Sequence, residues 1–154
     1  RLTKSAVSGL SDSSPPLEVD YSFVAPAYAK RAGELWLLRP RVMGQKGSVV
    51  MEGDKRVYPV EFDATTLQTD TFEIEIPKGV ELDEVPAGID ITYDFGEYHS
   101  RIQKLGNTLK YSRSYQIKEL VVPTSRLNEV QKFYRQIARE ERIAAVLKTT
   151  AGGE

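Results

Sequence analysis

The stretch that decides the fold is Gly96–Lys118, GEYHSRIQKLGNTLKYSRSYQIK. It contains two extended segments joined at Gly106-Asn107, a pair that predicts a hairpin because both residues tolerate the positive φ of a primed turn. In the second segment an apolar or aromatic residue stands at alternate positions, namely Leu109, Tyr111, Tyr115 and Ile117. This period of two predicts a strand with one buried face and one solvated face.

Composition bounds the class of protein. The chain has 154 residues, 40% of them hydrophobic, and a net charge of −1. These values fit a globular domain and argue against a nucleic-acid partner, which would need a clustered basic face. No run approaches the 18 or so apolar residues of a membrane span, so none is predicted. Cysteine is absent, which excludes disulfides, thiolate metal sites and cysteine nucleophiles from this sequence.

Other segments repeat the strand pattern. Leu17–Phe23 and Asp70–Pro77 alternate between apolar and polar residues, and turn signals separate about seven to eight such segments. We therefore predict a mainly β fold, an antiparallel immunoglobulin-like β-sandwich. The expected organisation is a linker or incoming segment over residues 1–16, a single domain over 17–148 and a disordered tail over 149–154.

The period changes after Pro123. Apolar residues then recur every three or four positions, at Leu127, Val130, Tyr134 and Ile137. This spacing predicts one amphipathic helix near residues 124–141, capped by Thr124 or Ser125 and packed on the sandwich. Residues 143–148 fit either a prolonged helix or a short strand, and a strand is favoured.

Candidate catalytic and metal-binding residues are few. His99 is the one histidine, and its neighbour Ser100 should point to the opposite face of the strand. We therefore expect His99 to face solvent without a catalytic role. The tripeptide Asp94-Phe95-Gly96 matches a motif of protein kinases, but the other kinase motifs do not accompany it, so a strand end is expected.

Four acidic residues could gather at one edge and bind calcium, namely Asp83, Glu84, Asp94 and Glu97. Their spacing matches no EF-hand loop, and solvated surface acids are the favoured interpretation. We expect no catalytic, cofactor-binding or metal-binding residue, and hence no enzymatic activity of this chain by itself.

Arg113 is the most informative single residue. It falls on the inward face of its strand, between Tyr111 and Tyr115, where an unpaired guanidinium would be costly. One interpretation is a cross-strand or domain-interface ion pair, stacked on a tyrosine. The other is a contact with an anion or a peptide carboxylate. The ion pair is favoured.

Five aromatic residues near strand ends and loops form the remaining candidate surface: Tyr28, Trp36, Tyr58, Tyr93 and Tyr98. Exposed together, they would make a platform for a sugar or a protein partner. Dispersed, they would be ordinary packing residues. The sequence leaves both interpretations open.

Five segments, in this order and spacing, carry a resemblance to a known family: RVYPVEF at 56–62, FEIEIPKG at 72–79, LDEVP at 82–86, NTLKYSR at 107–113 and FYRQI at 133–137. Together they resemble the C-terminal domain of bacterial transglutaminase-like proteins, especially those of Bacteroidetes. In such proteins a domain of unknown function comes first, a transglutaminase-like cysteine-protease core second, and a β-sandwich last.

The resemblance implies a function for the chain. It would be a non-catalytic accessory domain whose partner is the preceding core of a transglutaminase-like peptidase, in the periplasm or at the cell surface. The family's Cys-His-Asp triad would belong to that core, and no position here matches it. Two alternatives stay open: a glycan- or peptidoglycan-binding module that uses the aromatic residues, and a protein-interaction module that uses a strand edge or the helix. No cofactor is implied.

Overall fold

The computed structural model describes residues 1–9, 18–47 and 56–150, and most of their regular structure is antiparallel β. The strands are β1 (Leu2–Ser8), β2 (Glu18–Phe23), β3 (Lys30–Ala32), β4 (Leu35–Leu38), β5 (Val60–Glu61), β6 (Thr66–Glu75), β7 (Val80–Glu84), β8 (Asp90–Tyr93), β9 (Gly96–Leu105), β10 (Thr108–Ile117), β11 (Val121–Val122) and β12 (Ala145–Thr149). A 3₁₀ turn, Thr124–Arg126, leads into the helix α1, Leu127–Glu140.

The chain divides into two compact units, Arg1–Lys30 and Arg31–Glu154. In the first, β1 and β2 form an antiparallel ribbon. Residues 2–8, which we expected in a linker or incoming segment, thus form a strand, while residues 10–16 lie outside the described residues. The predicted limits of the main domain, 17–148, stay a prediction. Of the expected tail, Thr149 ends β12 and residues 151–154 lie outside the described part.

The second unit contains two four-stranded sheets and one two-stranded sheet among its described residues. The first sheet has the order β6-β10-β9-β8, the second has the order β3-β4-β12-β7, and β11 pairs with β5. The predicted central hairpin is confirmed, because β9 and β10 pair with Leu105 opposite Thr108. Gly106 takes the positive φ that the tight turn requires, +58°.

The helix supplies one half of the main core. Its buried apolar side chains are the four that the sequence pattern predicted, together with one phenylalanine: Leu127, Val130, Phe133, Tyr134 and Ile137. They pack with residues of the first sheet, and the Phe133 ring meets the fully buried Phe95 ring edge-on at 5.3 Å between centroids. Such aromatic pairs contribute about 0.5–1.5 kcal/mol beyond the area they bury.

The structure settles two local predictions, one about the start of the helix and one about the segment that follows it. The expected cap at Thr124 or Ser125 is wrong, since both residues lie in the 3₁₀ turn and the start of α1 has no side-chain capping hydrogen bond. Ala145–Thr149 is a strand, as favoured, because it pairs with β4 on one side and β7 on the other.

The predicted fold class is confirmed: the protein is mainly antiparallel β, with sandwich-like sheets and a C-terminal helix. Across residues 1–9, 18–47 and 56–150, no helix has both the length and the apolar character needed to cross a membrane.

Candidate functional site

Arg113 is the centre of a buried ionic cluster. It lies on β10 directly opposite Asp70 of β6, and its side chain is 0% exposed. Its Nε donates to Asp70 Oδ2 at 2.8 Å, and its Nη1 donates to Glu141 Oε1 at 3.1 Å. The Glu141 side chain, which follows α1, is only 1% exposed. We call Arg113, Asp70 and Glu141 the Arg113 cluster.

The Arg113 cluster also holds the loop that follows β4. Glu141 accepts hydrogen bonds from the backbone N–H of Lys46 at 2.7 Å and of Gly47 at 2.9 Å. Arg113 Nη2 donates to the carbonyl oxygen of Gly44. The cluster therefore joins β6, β10, the end of α1 and the loop that follows β4.

Gly47 shows how closely this loop approaches the helix. A Cβ atom at this position would lie 2.5 Å from Ala138 Cα, a distance that real Cβ atoms do not reach. Glycine is therefore required here for close backbone approach.

Electrostatics keep Arg113 charged. Burial alone would lower the pKa of Arg113, but the hydrogen bond and the charge of Asp70 outweigh it and raise the pKa above its ordinary value. The guanidinium is thus a permanent cation with carboxylate partners on two elements, which is how a buried charge becomes tolerable.

A second buried cluster joins Tyr98, Tyr111 and Glu140. The Tyr98 hydroxyl donates to Glu140 Oε2 at 2.6 Å and lies 3.0 Å from the Tyr111 hydroxyl. Burial, and then the hydrogen bond with Glu140, raises the pKa of Tyr98. Burial is also the main cause that raises the pKa of Tyr111, to about 12. Both hydroxyls stay protonated at neutral pH, so they can serve Glu140 as neutral donors.

A groove of about 450 Å³ opens between β8 and the C-terminal half of α1. Its apolar lining consists of Ile89, Ile91 and Ile143, and its polar lining includes Gln136, Arg139 and Glu140. Apolar walls with a few polar groups are typical of ligand-binding clefts. Glu140 connects this groove to the buried tyrosines.

His99 lies on β9 at the surface, where its ring is hydrogen-bonded to Asp90. Its Nδ1 is 2.7 Å from Asp90 Oδ1, and Arg101 Nη2 is 2.8 Å from Asp90 Oδ2. The hydrogen bond from Arg101, followed by that from His99, lowers the pKa of Asp90. Ser100 points inward, where its Oγ accepts the N–H of Ile89 at 3.1 Å. His99 and Ser100 therefore face opposite sides and form no nucleophile–base pair.

The kinase-like tripeptide lies at a turn, and two of the four acidic candidates form ion pairs with lysines. Asp94 and Phe95 form the turn between β8 and β9, and Phe95 is a core residue. Asp83 pairs with Lys148 at 2.8 Å, and Glu97 pairs with Lys118. Within the described ranges, no group of three or more His, Cys, Asp or Glu side chains is placed to hold a metal ion.

Most of the second unit matches a known protein family. Residues 34–147 match a family model described as "Domain of Unknown Function with solved-structure structure (DUF3858)". The chain belongs to this family. The match begins just before β4 and ends within β12. It therefore includes the whole helix and both four-stranded sheets, except for β3 and the end of β12.

One solved structure has a similar fold. It is a protein from Parabacteroides distasonis described as a "putative protease", with a TM-score of 0.61 and 13% sequence identity. The similarity covers 79% of this chain and 24% of that one, so the DUF3858 chain spans about a quarter of its length. No curated protein matches the chain.

The structure brings only part of the predicted site together. Arg113 and Tyr111 are neighbours on the buried face of β10, in contact with Glu141 and Glu140 respectively. Tyr115, on the same face, instead pairs its hydroxyl with that of Tyr134 at 2.9 Å.

The five aromatic candidates occupy different environments. Tyr98 is 0% exposed and belongs to the core, so it cannot be part of a surface platform. Tyr93 is half-buried against Phe95 and Phe133. Trp36 lies in the second sheet under Arg31, and Tyr58 is exposed near β5. Tyr28 lies in the first unit.

The sequence interpretation missed Glu140 and Glu141. Both follow Ile137 at the helical spacing of three and four, so they continue the apolar stripe to its end. Carboxylates are also unfavourable in the last turn of a helix, because the C-terminal end of the macrodipole is negative. Two acidic residues that extend an apolar stripe at the C-terminal end of a helix therefore indicate that they have buried partners.

Proposed function

We propose that this DUF3858 domain is a non-catalytic accessory domain of a transglutaminase-like peptidase, and that it packs on the catalytic core and supports it or shapes access to its substrate cleft. The observation that carries this proposal is that a similar fold makes up about a quarter of a much longer protein described as a "putative protease". The five segments that resemble the C-terminal domain of transglutaminase-like proteins support the same role.

The buried polar groups are consistent with a supporting role. Arg113 is held by Asp70, Glu141 and the loop at Gly44, so its charge is used inside the domain. A group that performs catalysis instead needs a position from which it reaches a substrate. The Arg113 cluster fixes strands, helix and loop relative to each other, as a rigid platform for another domain requires.

The partner and the location belong to the same proposal. The partner is the preceding transglutaminase-like core of the parent polypeptide, and the protein resides in the periplasm or at the cell surface. Both rest on the resemblance of segments such as residues 72–79 and 107–113 to the family.

Calorimetry of the parent protein tests the packing. We expect the core to unfold several degrees higher in the full-length parent than in a version that lacks residues 1–150, because a domain that binds only the folded core stabilises it. Identical transitions of the core in the two proteins would contradict the proposal. A second check is peptide hydrolysis by the isolated chain: activity that His99→Gln abolishes would show that the domain is itself an enzyme.

The groove between β8 and α1 favours a second candidate function, recognition of a protein or glycan segment. Its isoleucine walls suit apolar side chains of a peptide better than sugar rings, which need aromatic platforms. Calorimetric titration with oligopeptides and peptidoglycan fragments tests this candidate. Gln136→Ala and Arg139→Ala should weaken binding, whereas Lys132→Ala, an exposed position on the same helix, should not. Equal effects at all three positions would exclude the groove.

A further inference from the structure

Glu140 is a buried acidic residue that has no cationic partner. It is 5% exposed and ends α1. Within the described ranges its carboxylate accepts only from the Tyr98 hydroxyl, at 2.6 Å, and the Tyr111 hydroxyl, at 3.4 Å, and it takes part in no ion pair. Both hydroxyls lie on the same atom, Oε2. The other oxygen, Oε1, therefore has no described donor, and it is not fully closed off from solvent.

The next residue shows what a buried carboxylate requires. Glu141 receives Nη1 of Arg113 at 3.1 Å, and it also accepts the backbone N–H groups of Lys46 and Gly47. A buried carboxylate that lacks a cation is costly. At Glu140 the end of the helix adds to this cost, because the macrodipole is negative there. A cation beside Glu140 would offset both effects.

The groove between β8 and α1 reaches Glu140. All the residues that line it belong to the second unit, so its walls do not depend on residues 1–30. Gln136, Arg139 and Ile143 lie three or four residues from one another or from Glu140, and the N–H of Ile143 donates to the Glu140 carbonyl oxygen at 2.9 Å. Such spacing places side chains on one side of a helix and its last turn. The Glu140 carboxylate, with one oxygen unpartnered, thus borders a groove with isoleucine walls.

We propose that the groove between β8 and α1 binds the lysine side chain of a polypeptide, with the ammonium group on Glu140 Oε1 and the methylene stem along the isoleucines. The proposal rests on the second candidate function, recognition of a segment by this groove, and names the side chain that is recognised. Lysine buries its stem along apolar surface and ends in a compact cation with three donors. The volume of about 450 Å³ is within the usual range of ligand pockets, about 300–1,000 Å³.

The single available oxygen favours lysine over arginine and over a metal ion. A guanidinium binds a carboxylate best as a fork that uses both oxygens, but Oε2 of Glu140 already accepts from two hydroxyls. A divalent cation such as calcium takes about six to eight oxygen ligands. In the part of the chain that the structure describes, no three His, Cys, Asp or Glu side chains gather to hold one. An ammonium group needs only one carboxylate oxygen.

The charges at the rim of the groove select the neighbours of the lysine. Asp90 lines the groove but pairs with Arg101 at 2.8 Å and with His99 at 2.7 Å, so Glu140 is the acid left for a ligand. Arg139 is exposed and takes part in no ion pair among the described residues. It would attract a carboxylate and repel a second cation. We therefore expect the bound lysine to stand next to an acidic residue in its peptide.

NMR titration of the 154-residue chain with matched peptides tests the proposal. The probe is acetyl-Ala-Lys-Glu-amide, and three counterparts replace its lysine by norleucine, Nε-acetyllysine or arginine. The first two counterparts keep the stem without the charge, and the third keeps the charge on a planar fork. We expect the lysine peptide to bind at least about tenfold more tightly than each counterpart, because it alone makes a charge-assisted hydrogen bond with one oxygen.

A charge-matched pair of variants locates the ammonium group. Glu140→Gln should weaken binding of the lysine peptide at least about tenfold and leave the norleucine peptide unaffected, and glutamine keeps an oxygen for the tyrosine hydroxyls. Glu75→Gln is the control, because this exposed acid lies on β6, at the opposite edge of the first sheet from β8. It should leave both affinities unchanged. In the wild-type chain, the amide resonances of Ile91 and Ile143 should shift on binding, a measurement that needs no variant.

Three results would overturn the proposal. One is equal affinity for the lysine and norleucine peptides, and another is an equal loss in Glu140→Gln and Glu75→Gln. The third is a set of amide shifts that leaves out the groove. Binding of n-butylamine as tight as that of the lysine peptide would assign the groove to small amines and would likewise exclude a polypeptide as the occupant.

The lysine assignment and the wider recognition role of the groove fail separately. Equal binding of the lysine and norleucine peptides, with both weakened by Gln136→Ala, would refute the lysine assignment and leave the groove a peptide site. Lysine-selective binding that Glu140→Gln abolishes, but that Gln136→Ala and Arg139→Ala leave unchanged, would refute the wider footprint and leave the lysine assignment intact. Neither result touches the accessory role, because the titrations use this chain alone.

Discussion

Replacing Arg113 by methionine tests the role of the Arg113 cluster. The substitution keeps an unbranched apolar stem and removes the charge. Glu141 then stays buried, and the nearest cation that the described residues still offer it is Arg41, whose Nε lies 3.8 Å from Oε1. Asp70 loses the same partner but is partly exposed, with 21% of its side chain accessible, and water can solvate it.

The expected loss of folding free energy follows from the burial of Arg113 and Glu141. Removing one partner of a buried ion pair costs roughly 3–5 kcal/mol because the remaining charge is left uncompensated. Glu141 keeps the N–H donors of Lys46 and Gly47, which favours the lower end, about 3 kcal/mol. For a domain of this length that loss lowers Tm by about 6–12 °C.

Urea denaturation followed by circular dichroism measures the loss, and Lys110→Met is the matched control. Lys110 lies on the same strand and pairs with Glu73 of β6, but both side chains are exposed, so its loss should cost under about 1 kcal/mol. Amide exchange at Lys46 and Gly47 should accelerate only in the Arg113→Met protein. A loss of stability similar to that of Lys110→Met would refute the reasoning.

Three further predictions concern the same core. Gly47→Ala should cost about 1–3 kcal/mol in urea denaturation, because its Cβ meets the Ala138 backbone. Tyr98→Phe should cost about 1–3 kcal/mol of stability, because Glu140 loses its 2.6 Å donor. A change below ~0.5 kcal/mol, the usual effect of a surface substitution, would contradict this. Finally, the raised pKa of Tyr111, about 12, means that the unfolded chain loses this proton first. Stability measured by thermal melts should therefore be full below pH ~10 and fall as pH rises towards ~12, and a flat profile in that window would contradict the buried hydroxyl.

Local patterns in the sequence predict those parts of the fold that local physics decides. The hairpin is readable because Gly106-Asn107 and the alternation around Tyr111 lie within a single stretch. The helix is readable because its apolar stripe repeats at three and four residues from Leu127 to Ile137. The inward position of Arg113 follows from the same alternation.

Long-range partners are what the sequence does not reveal. The ribbon strand β1 is Ser- and Thr-containing and resembles a linker until its pairing with β2 is known. Residue 113 is visibly inward, but its partner Glu141 could not be named, because nothing local shows that the end of α1 comes back over β10. The burial of Tyr98 could not be predicted for a related reason: alternation around Tyr98 shows a strand but not which of its faces the helix covers.

The most direct test of the accessory role is the peptidase kcat/KM of the full-length parent, compared with a version that lacks residues 1–150 and whose core remains folded by circular dichroism. The account predicts that the truncated enzyme is at least about tenfold less active, because loss of a domain that positions the core or its substrate misaligns the reacting groups. An unchanged kcat/KM and an unchanged substrate preference would contradict it.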